Sequence, residues 1–267
     1  MKGYIVLLIG LVSSVIFYEC KSLASGANNL NAFTVAQDKE LGDQVAGEIA
    51  SKPTEYPILP EAGNQEIYNY IRGMKNTIIN SGKVKYKNEF PWEVKIIKDD
   101  KTLNAFCTPR GHTYDYTGSI KFLDSEDQLM GVMGHEIAHA DGRHSTEQLT
   151  KQYGIAFIAD ALLGNKTALG QIAETVVGGL AGLSFSRANE SEADSKSVEY
   201  LCGSSINAAG AAGFFKKMEG EKQPPTFLST HPAPANRIAN IEKKARNLNC
   251  AGSLTNTSVY QKMKAKL

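Results

Sequence analysis

The chain has 267 residues, 42% hydrophobic and 21% charged, and its 29 Lys plus Arg against 28 Asp plus Glu give a formal net charge of +1. That composition excludes a disordered chain and suits one sizeable core or two small ones. The mixed signs form no basic stripe, so nucleic acid is not an expected partner.

Lys2 precedes an apolar stretch from Tyr4 to Tyr18, broken only by Gly10, Ser13 and Ser14. Its charge, length and position are those of an export signal rather than a membrane span. Residues 1–20 are therefore set apart as a signal peptide or lipoprotein signal, and the protein is expected to be exported. Cys20 follows directly and is a lipidation candidate, although Tyr18 and Glu19 stand where small residues are usual. Export would permit a disulfide among Cys107, Cys202 and Cys250. Cys202 and Cys250 lie in loop-like contexts, "YLCGSS" and "NLNCAG", and are the expected pair. Closing that loop would contribute about 4 kcal/mol in the chain-entropy model.

"SGANNLNAF" (25–33) is a polar tether. Thr34 to Ala50 then reads as an amphipathic helix with Val35, Leu41, Val45 and Ile49 on one face. A segment with three prolines interrupts it, and Gln65 to Ser81 is a second helix carrying Ile67, Tyr70, Ile71, Met74 and Ile78. From Trp92 the period changes to that of strands. "WEVKII", "TLNAFCT" and "GHTYDYTG" alternate as short strands separated by Asp99, Asp100, Pro109 and Gly111, which predicts a small antiparallel sheet. The 27 residues from Leu123 to Leu149 read as one long helix, with Asp124 or Ser125 as N-cap and Leu129, Val132, Met133, Ile137 and Ala140 buried.

Residues 154–185 read as a Gly/Ala-rich helical hairpin. Its longest uninterrupted apolar run, Ile155 to Ala159, is far short of the roughly 20 residues a membrane span needs. Residues 184–201 predict a further helix, "NAAGAAGFFKKMEGE" another with Phe214, Phe215 and Met218 in the core, and "PANRIANIEKKARNLN" a third. The residues after Cys250 read as a tail. The fold class is thus α+β and mainly helical.

Three of the five histidines fall in "HEIAHADGRH". His135 and His139 stand one helical turn apart, on one face, so both imidazoles can reach a single ion, with Glu136 beside them. A zinc ion in such a site activates a water molecule, and a carboxylate at Glu136 can take its proton. Catalytic zinc takes three protein ligands. His144 is one candidate for the third, as in peptidases whose motif continues H-x-x-G-x-x-H. Gly142 is in place for that pattern, but Ser145 holds the histidine position and His144 comes one residue early. Glu190 is the other candidate. Glu190 and Asp194 are four apart on the predicted helix, so Asp194 could accept the free N–H of a histidine ligand.

"GHEIAHADGRHS", then "SRANESEAD", then "LSTHPAPANRI" (228–238) together resemble the M48 family of zinc metallopeptidases over about Asn104 to Ile241. The resemblance implies a zincin fold of the gluzincin kind, with a long active-site helix. It implies one zinc per chain held by His135, His139 and Glu190, with Glu136 as catalytic acid/base and Asp194 as its supporting acid. Arg187 would support an acid of the site, and His231 would either stabilise the oxyanion or occupy the open metal position. The strand at Asn104, Ala105 and Phe106 would run beside the site, and an extended substrate could add to it. Where the family usually has a Pro-Gly-Gly turn, this chain has "PRGHTYDYTGS", which would put Arg110, His112 and Asp115 at the cleft rim.

The resulting expectation is an N-terminal helical segment (21–90) on a metallopeptidase domain (91–250), with a tail (251–267). It would be a zinc endopeptidase acting on misfolded or misassembled envelope proteins. Its location would be periplasmic or at the outer membrane, with membrane association through the signal or a lipid anchor. The alternatives are a zinc-stabilised holdase that binds without cutting, and an enzyme that uses His144 as ligand.

Overall fold

The computed structural model describes residues 30–163, 166–178, 184–219, 226–232 and 236–267; the signal stretch and Cys20 lie outside these. Thr34 opens helix α1 (Val35–Ser51) with a capping box, its hydroxyl accepting from Gln37 N and the Gln37 side chain accepting from Thr34 N. Helix α2 (Gln65–Ile79) buries Ile67, Ile71, Met74 and Ile78 along one stripe.

Three strands follow: β1 (Val94–Ile97), β2 (Ala105–Cys107) and β3 (Thr113–Tyr116), in spatial order β1-β3-β2. β2 pairs antiparallel with β3, but β1 and β3 are parallel, so the sheet is mixed and not wholly antiparallel as expected. The cause lies in the two turns. Asp99 gathers Lys101 N and Thr102 Oγ1 and reverses the chain after β1. The tight turn in which Gly111 N donates to Thr108 O, with Arg110 and Gly111 at φ 78° and 84°, then inserts β3 between the other two strands.

The pleat sends alternate residues into two different cores. Val94, Ile96, Ala105 and Cys107 join the larger core, with Ile71, Val132, Ile137 and Phe214. Ile97, Phe106, Tyr114 and Tyr116 join the second, with Leu41, Val45, Ile172 and Val177. His112 and Asp115 follow the same alternation inward and are 6% and 2% exposed, so neither stands at a cleft rim. Arg110 instead pairs with Asp43 of α1.

After α3 (Thr117–Phe122), helix α4 (Glu126–Asp141) starts at Ser125 and is buried on every side from Leu129 to Asp141. The predicted single helix breaks at Arg143, which takes the left-handed conformation (φ 57°) and bonds to Asp38 and the Phe33 carbonyl. A second helix, α5 (His144–Tyr153), begins there. The hairpin is α6 (Ile155–Leu162) and α7 (Lys166–Gly178), whose inner residues Ile158, Ala161, Ile172 and Val176 pack in the second core.

Helices α8 (Arg187–Leu201) and α9 (Gly210–Met218) flank α4, and α10 (Thr226–Thr230), α11 (Arg237–Asn247) and α12 (Thr257–Lys264) complete the described chain. Phe214, Phe215 and Met218 of α9 are buried. Cys202 at the end of α8 is disulfide-bonded to Cys250 just past α11, across 48 residues. The expected tail is α12, held because Tyr260 is buried and donates to Ile120 O at 2.7 Å. Helix α2 shares its core with α4 and the sheet, so it packs against the part of the chain that follows residue 90. Among the described residues no helix is long and apolar enough to cross a membrane.

The strand register sets Asp115 between Ile96 and Ala105 on the face turned to α4, and its Oδ2 has no hydrogen-bond partner among the described residues. Burial, with a smaller contribution from the Glu136 charge, pushes its carboxyl up to about 7. A folded-state value above the unfolded one means that folding takes up a proton, so this group lowers stability as pH rises from about 4 to about 7. Asp115→Asn is expected to raise the melting temperature relative to the unaltered chain at pH 8, with the difference shrinking toward pH 4. The ceiling is on the order of 4 kcal/mol. An equal difference at both pH values in calorimetry would contradict it.

Candidate metal centre

The residues of the centre come from two helices that approach closely because one is lined with small side chains. A Cβ at Gly134 of α4 would lie 2.7 Å from Ser197 Oγ of α8, and Ser197 donates to Gly131 O at 2.7 Å. α8 is capped by Ser186, which accepts from Asn189 N, and this places Glu190 in the first turn, where the helix dipole favours a carboxylate. His135 and His139 project from α4 toward it.

His135 Nε2 and His139 Nε2 are 3.1 Å apart, and His139 Nε2 lies 3.4 Å from Glu190 Oε1. His231, just past α10, adds Nδ1 at 3.3 Å from His135 Nε2 and 3.0 Å from Glu190 Oε1. One donor atom from each of these four residues lies within 4.8 Å of all the others, and all four residues are buried. A tetrahedral ion with bonds of 2.0–2.1 Å separates its ligand atoms by roughly 3.3–3.4 Å, so the spacing and the nitrogen-and-oxygen donor set fit a zinc-sized cation. These four residues could hold a metal ion.

The surroundings fix which atom of each ligand faces inward. Asp194 Oδ1 accepts from His135 Nδ1 at 2.9 Å, leaving Nε2 free. Arg237 Nη2 takes Glu190 Oε2 at 2.9 Å, leaving Oε1 toward the rings. Arg237 also forms a two-pronged pair with Asp194, Nε to Oδ2 and Nη2 to Oδ1, both 2.8 Å, and lies over the Phe215 ring. Phe185 stacks on His139, and Phe227 on His231.

Burial opposes the charge on Glu190, but hydrogen bonds from His135, His139 and His231 outweigh it and hold the carboxyl well below its usual range. For His135 burial opposes protonation, while Asp194 and Glu190 pull the imidazole up to about 9. His139 is driven the other way, first by burial and then by the neighbouring imidazoles. Glu136 lies beside the group with Oε1 unpartnered, 3.6 Å from His231 Nε2, and burial raises its carboxyl above the ordinary value. A carboxyl raised in this way, next to a metal-binding group, is suited to proton transfer.

His144 does not join the four. Its Nδ1 meets the far nitrogen of His139, Nδ1, at 3.0 Å. Arg187 is exposed on the first turn of α8, and the guanidinium that supports the acids is that of Arg237. Arg237 stands in the same "THPAPANRI" stretch as His231, and only that shared stretch hinted at it. β2 is an edge strand, with Phe106, Glu136, Val176, Phe185 and His231 around a cavity of about 30 Å³. Asn104 O at its start accepts from Tyr116 N and Ser119 Oγ. Removing Arg237 leaves two buried carboxylates without their cation. Arg237→Ala is expected to cost the metal-stripped protein about 3–5 kcal/mol in urea denaturation. Arg237→Lys, which keeps the charge but loses the fork, should fall between.

The protein-family model of peptidase family M48 matches residues 68–245. Over 197 residues the chain is 27% identical to mitochondrial metalloendopeptidase OMA1 of Schizosaccharomyces pombe, covering 70% of this chain and 57% of that protein. It is 25% identical to the beta-barrel assembly-enhancing protease of Yersinia pestis (80% of this chain, 45% of that one). To the protein of the same name in Escherichia coli it is 23% identical (84% and 47%). The chain thus spans about half the length of these relatives. With a match over most of its length and a buried His/Glu group built around the two histidines of the motif helix, the chain belongs to peptidase family M48.

Proposed function

We propose that the protein is a zinc-dependent endopeptidase. The convergence of His135, His139 and Glu190, with inward donor atoms 3.1–3.4 Å apart and Glu136 alongside, carries this reading. Those three residues would hold one zinc per chain. Bound there, zinc would lower the pKa of a water molecule to about 7 and polarise a peptide carbonyl. Glu136 takes the proton from the attacking water and passes it to the leaving amine. Asp194 and Arg237 keep His135 and Glu190 in the orientation this requires. We take the third ligand as Glu190, because His144 faces the opposite nitrogen of His139.

An extended, unfolded polypeptide is the fitting substrate: β2 is the outer strand of the sheet, beside Glu136, and an added strand could pair along Asn104 to Phe106 once the layer that buries them moves aside. A cavity of about 30 Å³ has room for a water or two but not for a peptide. Entry therefore requires Val176 of α7 and Phe185 to move aside. His231 Nδ1 stands at ligand spacing from His135 and Glu190, which supports a plug at the fourth position of the metal over a role on the oxyanion.

The N-terminal apolar stretch and the Cys202–Cys250 disulfide support an exported, oxidising setting. Misfolded or misassembled envelope proteins are then the natural substrates, reached from a periplasmic or outer-membrane-associated position through the signal or a lipid on Cys20. A holdase on the same scaffold is the competing reading.

Glu136→Gln separates the two. Digestion of casein is expected to fall by at least about 1,000-fold, within the range lost when an acid/base group is removed, while zinc content stays the same. Undiminished cleavage would remove Glu136 from the acid/base role, and undiminished biological activity of the non-cleaving variant would favour the holdase. His231→Ala is expected to raise the rate of casein cleavage. A fall with unchanged zinc content would assign His231 to the transition state instead.

A further inference from the structure

We infer that His144 is a positioning residue that holds the metal ligand His139 in place. A ligating histidine ordinarily gives its second N–H to a carboxylate, a carbonyl or a water, and that bond fixes ring orientation and tautomer. His135 follows the rule through Asp194. His139 has no such acid: its Nδ1 faces His144 Nδ1 at 3.0 Å. This inference rests on the metal-binding reading above.

The tautomers follow from the geometry. A His139 that binds through Nε2 must carry its proton on Nδ1. His144 Nδ1 must then be the acceptor, so the His144 proton sits on Nε2. That nitrogen points to Glu192, whose Oε2 lies 3.8 Å away. A directed row therefore runs from the Glu192 carboxylate through His144 to His139 and the metal position. Its outer end lines a cavity of about 320 Å³ with Lys83, Asp141, Glu147 and Lys196, well away from the substrate side.

The local backbone is built to seat this ring. Gly142 has φ −76°, a conformation open to any residue, so its value lies in space and not in backbone freedom. A Cβ there would fall 2.4 Å from His144 Nε2 and under 3 Å from two ring carbons. Arg143 turns the chain in the left-handed conformation so that His144, first residue of α5, folds back under His139, where it is 2% exposed. Phe185 covers a face of the His139 ring, with centroids 3.9 Å apart. His139 is thus clamped between a phenyl face and one hydrogen-bond acceptor.

The test measures metal affinity. The full chain is stripped of metal and titrated with Zn2+ against a chromophoric chelator, and Co2+ is used in parallel for its visible spectrum. His144→Leu is expected to weaken binding by about 10–100-fold, as loss of such a partner does elsewhere, and to shift the Co2+ bands. His144→Asn, whose Oδ1 occupies the Nδ1 position and can only accept, is expected to restore affinity to within a few-fold. Gly142→Ala keeps the imidazole but displaces it, and should weaken binding like His144→Leu; it decides the matter if the leucine variant does not fold. The metal-free melting temperatures of the asparagine and unaltered chains should coincide. Unaltered affinity in both His144→Leu and Gly142→Ala, or an asparagine variant no better than leucine, would overturn the inference while leaving the metal reading intact. Failure of the unaltered chain to bind Zn2+ would overturn both.

Discussion

The close approach of α8 to α4 is the constraint on which the rest of the molecule depends. Gly134 removes the side chain that would hold α8 away from α4, Gly131 does the same for α9, where a Cβ would lie 2.2 Å from Ala211 N, and Ser197 of α8 bonds to the Gly131 carbonyl. That approach brings the Glu190 carboxylate within 3.4 Å of an imidazole on α4. The burial of α4 on every side follows from the same need. A helix wrapped by a sheet and three helices cannot tilt, so the two imidazoles keep a fixed direction.

Such a centre is electrostatically expensive without a cation. Glu190 and Asp194 are buried together, and the Arg237 fork satisfies one oxygen of the first and both of the second. That leaves one carboxylate oxygen and two imidazole nitrogens facing one another, a set of electron pairs in a water-poor interior. A divalent cation resolves the mismatch; without one, His135 is held in favour of its charged form while the Glu190 carboxyl is held well below its usual range. Low dielectric makes the paired state strong and the unpaired state costly. The two imidazoles are not equivalent, because one leans on a carboxylate and the other on a second imidazole.

The centre is enclosed. His231 stacks on Phe227 and reaches across to Glu190, while Phe185 and Val176 roof the space above Glu136. Substrate access and the freeing of the metal position are therefore coupled in one small volume. On the proposed reading, only a segment able to displace this roof would reach Glu136. The apolar inner face of the α6 and α7 hairpin makes the roof a packed layer and not a loose flap.

The sequence by itself determined the helical periods, and with them the two histidines and Glu136 on one turn and the Glu190 and Asp194 pair on another. It also carried the disulfide partners and the apolar residues of α9, because period, spacing and residue type are local properties of the chain. Only the tertiary structure decided what meets what. It chose Arg237 over the exposed Arg187, turned His112 and Asp115 inward, slid β3 between β1 and β2, ended the motif helix at Arg143, and docked the last helix through Tyr260. Each of these outcomes is set by long-range packing, in which a residue's neighbours come from distant parts of the chain and leave no periodic trace near it.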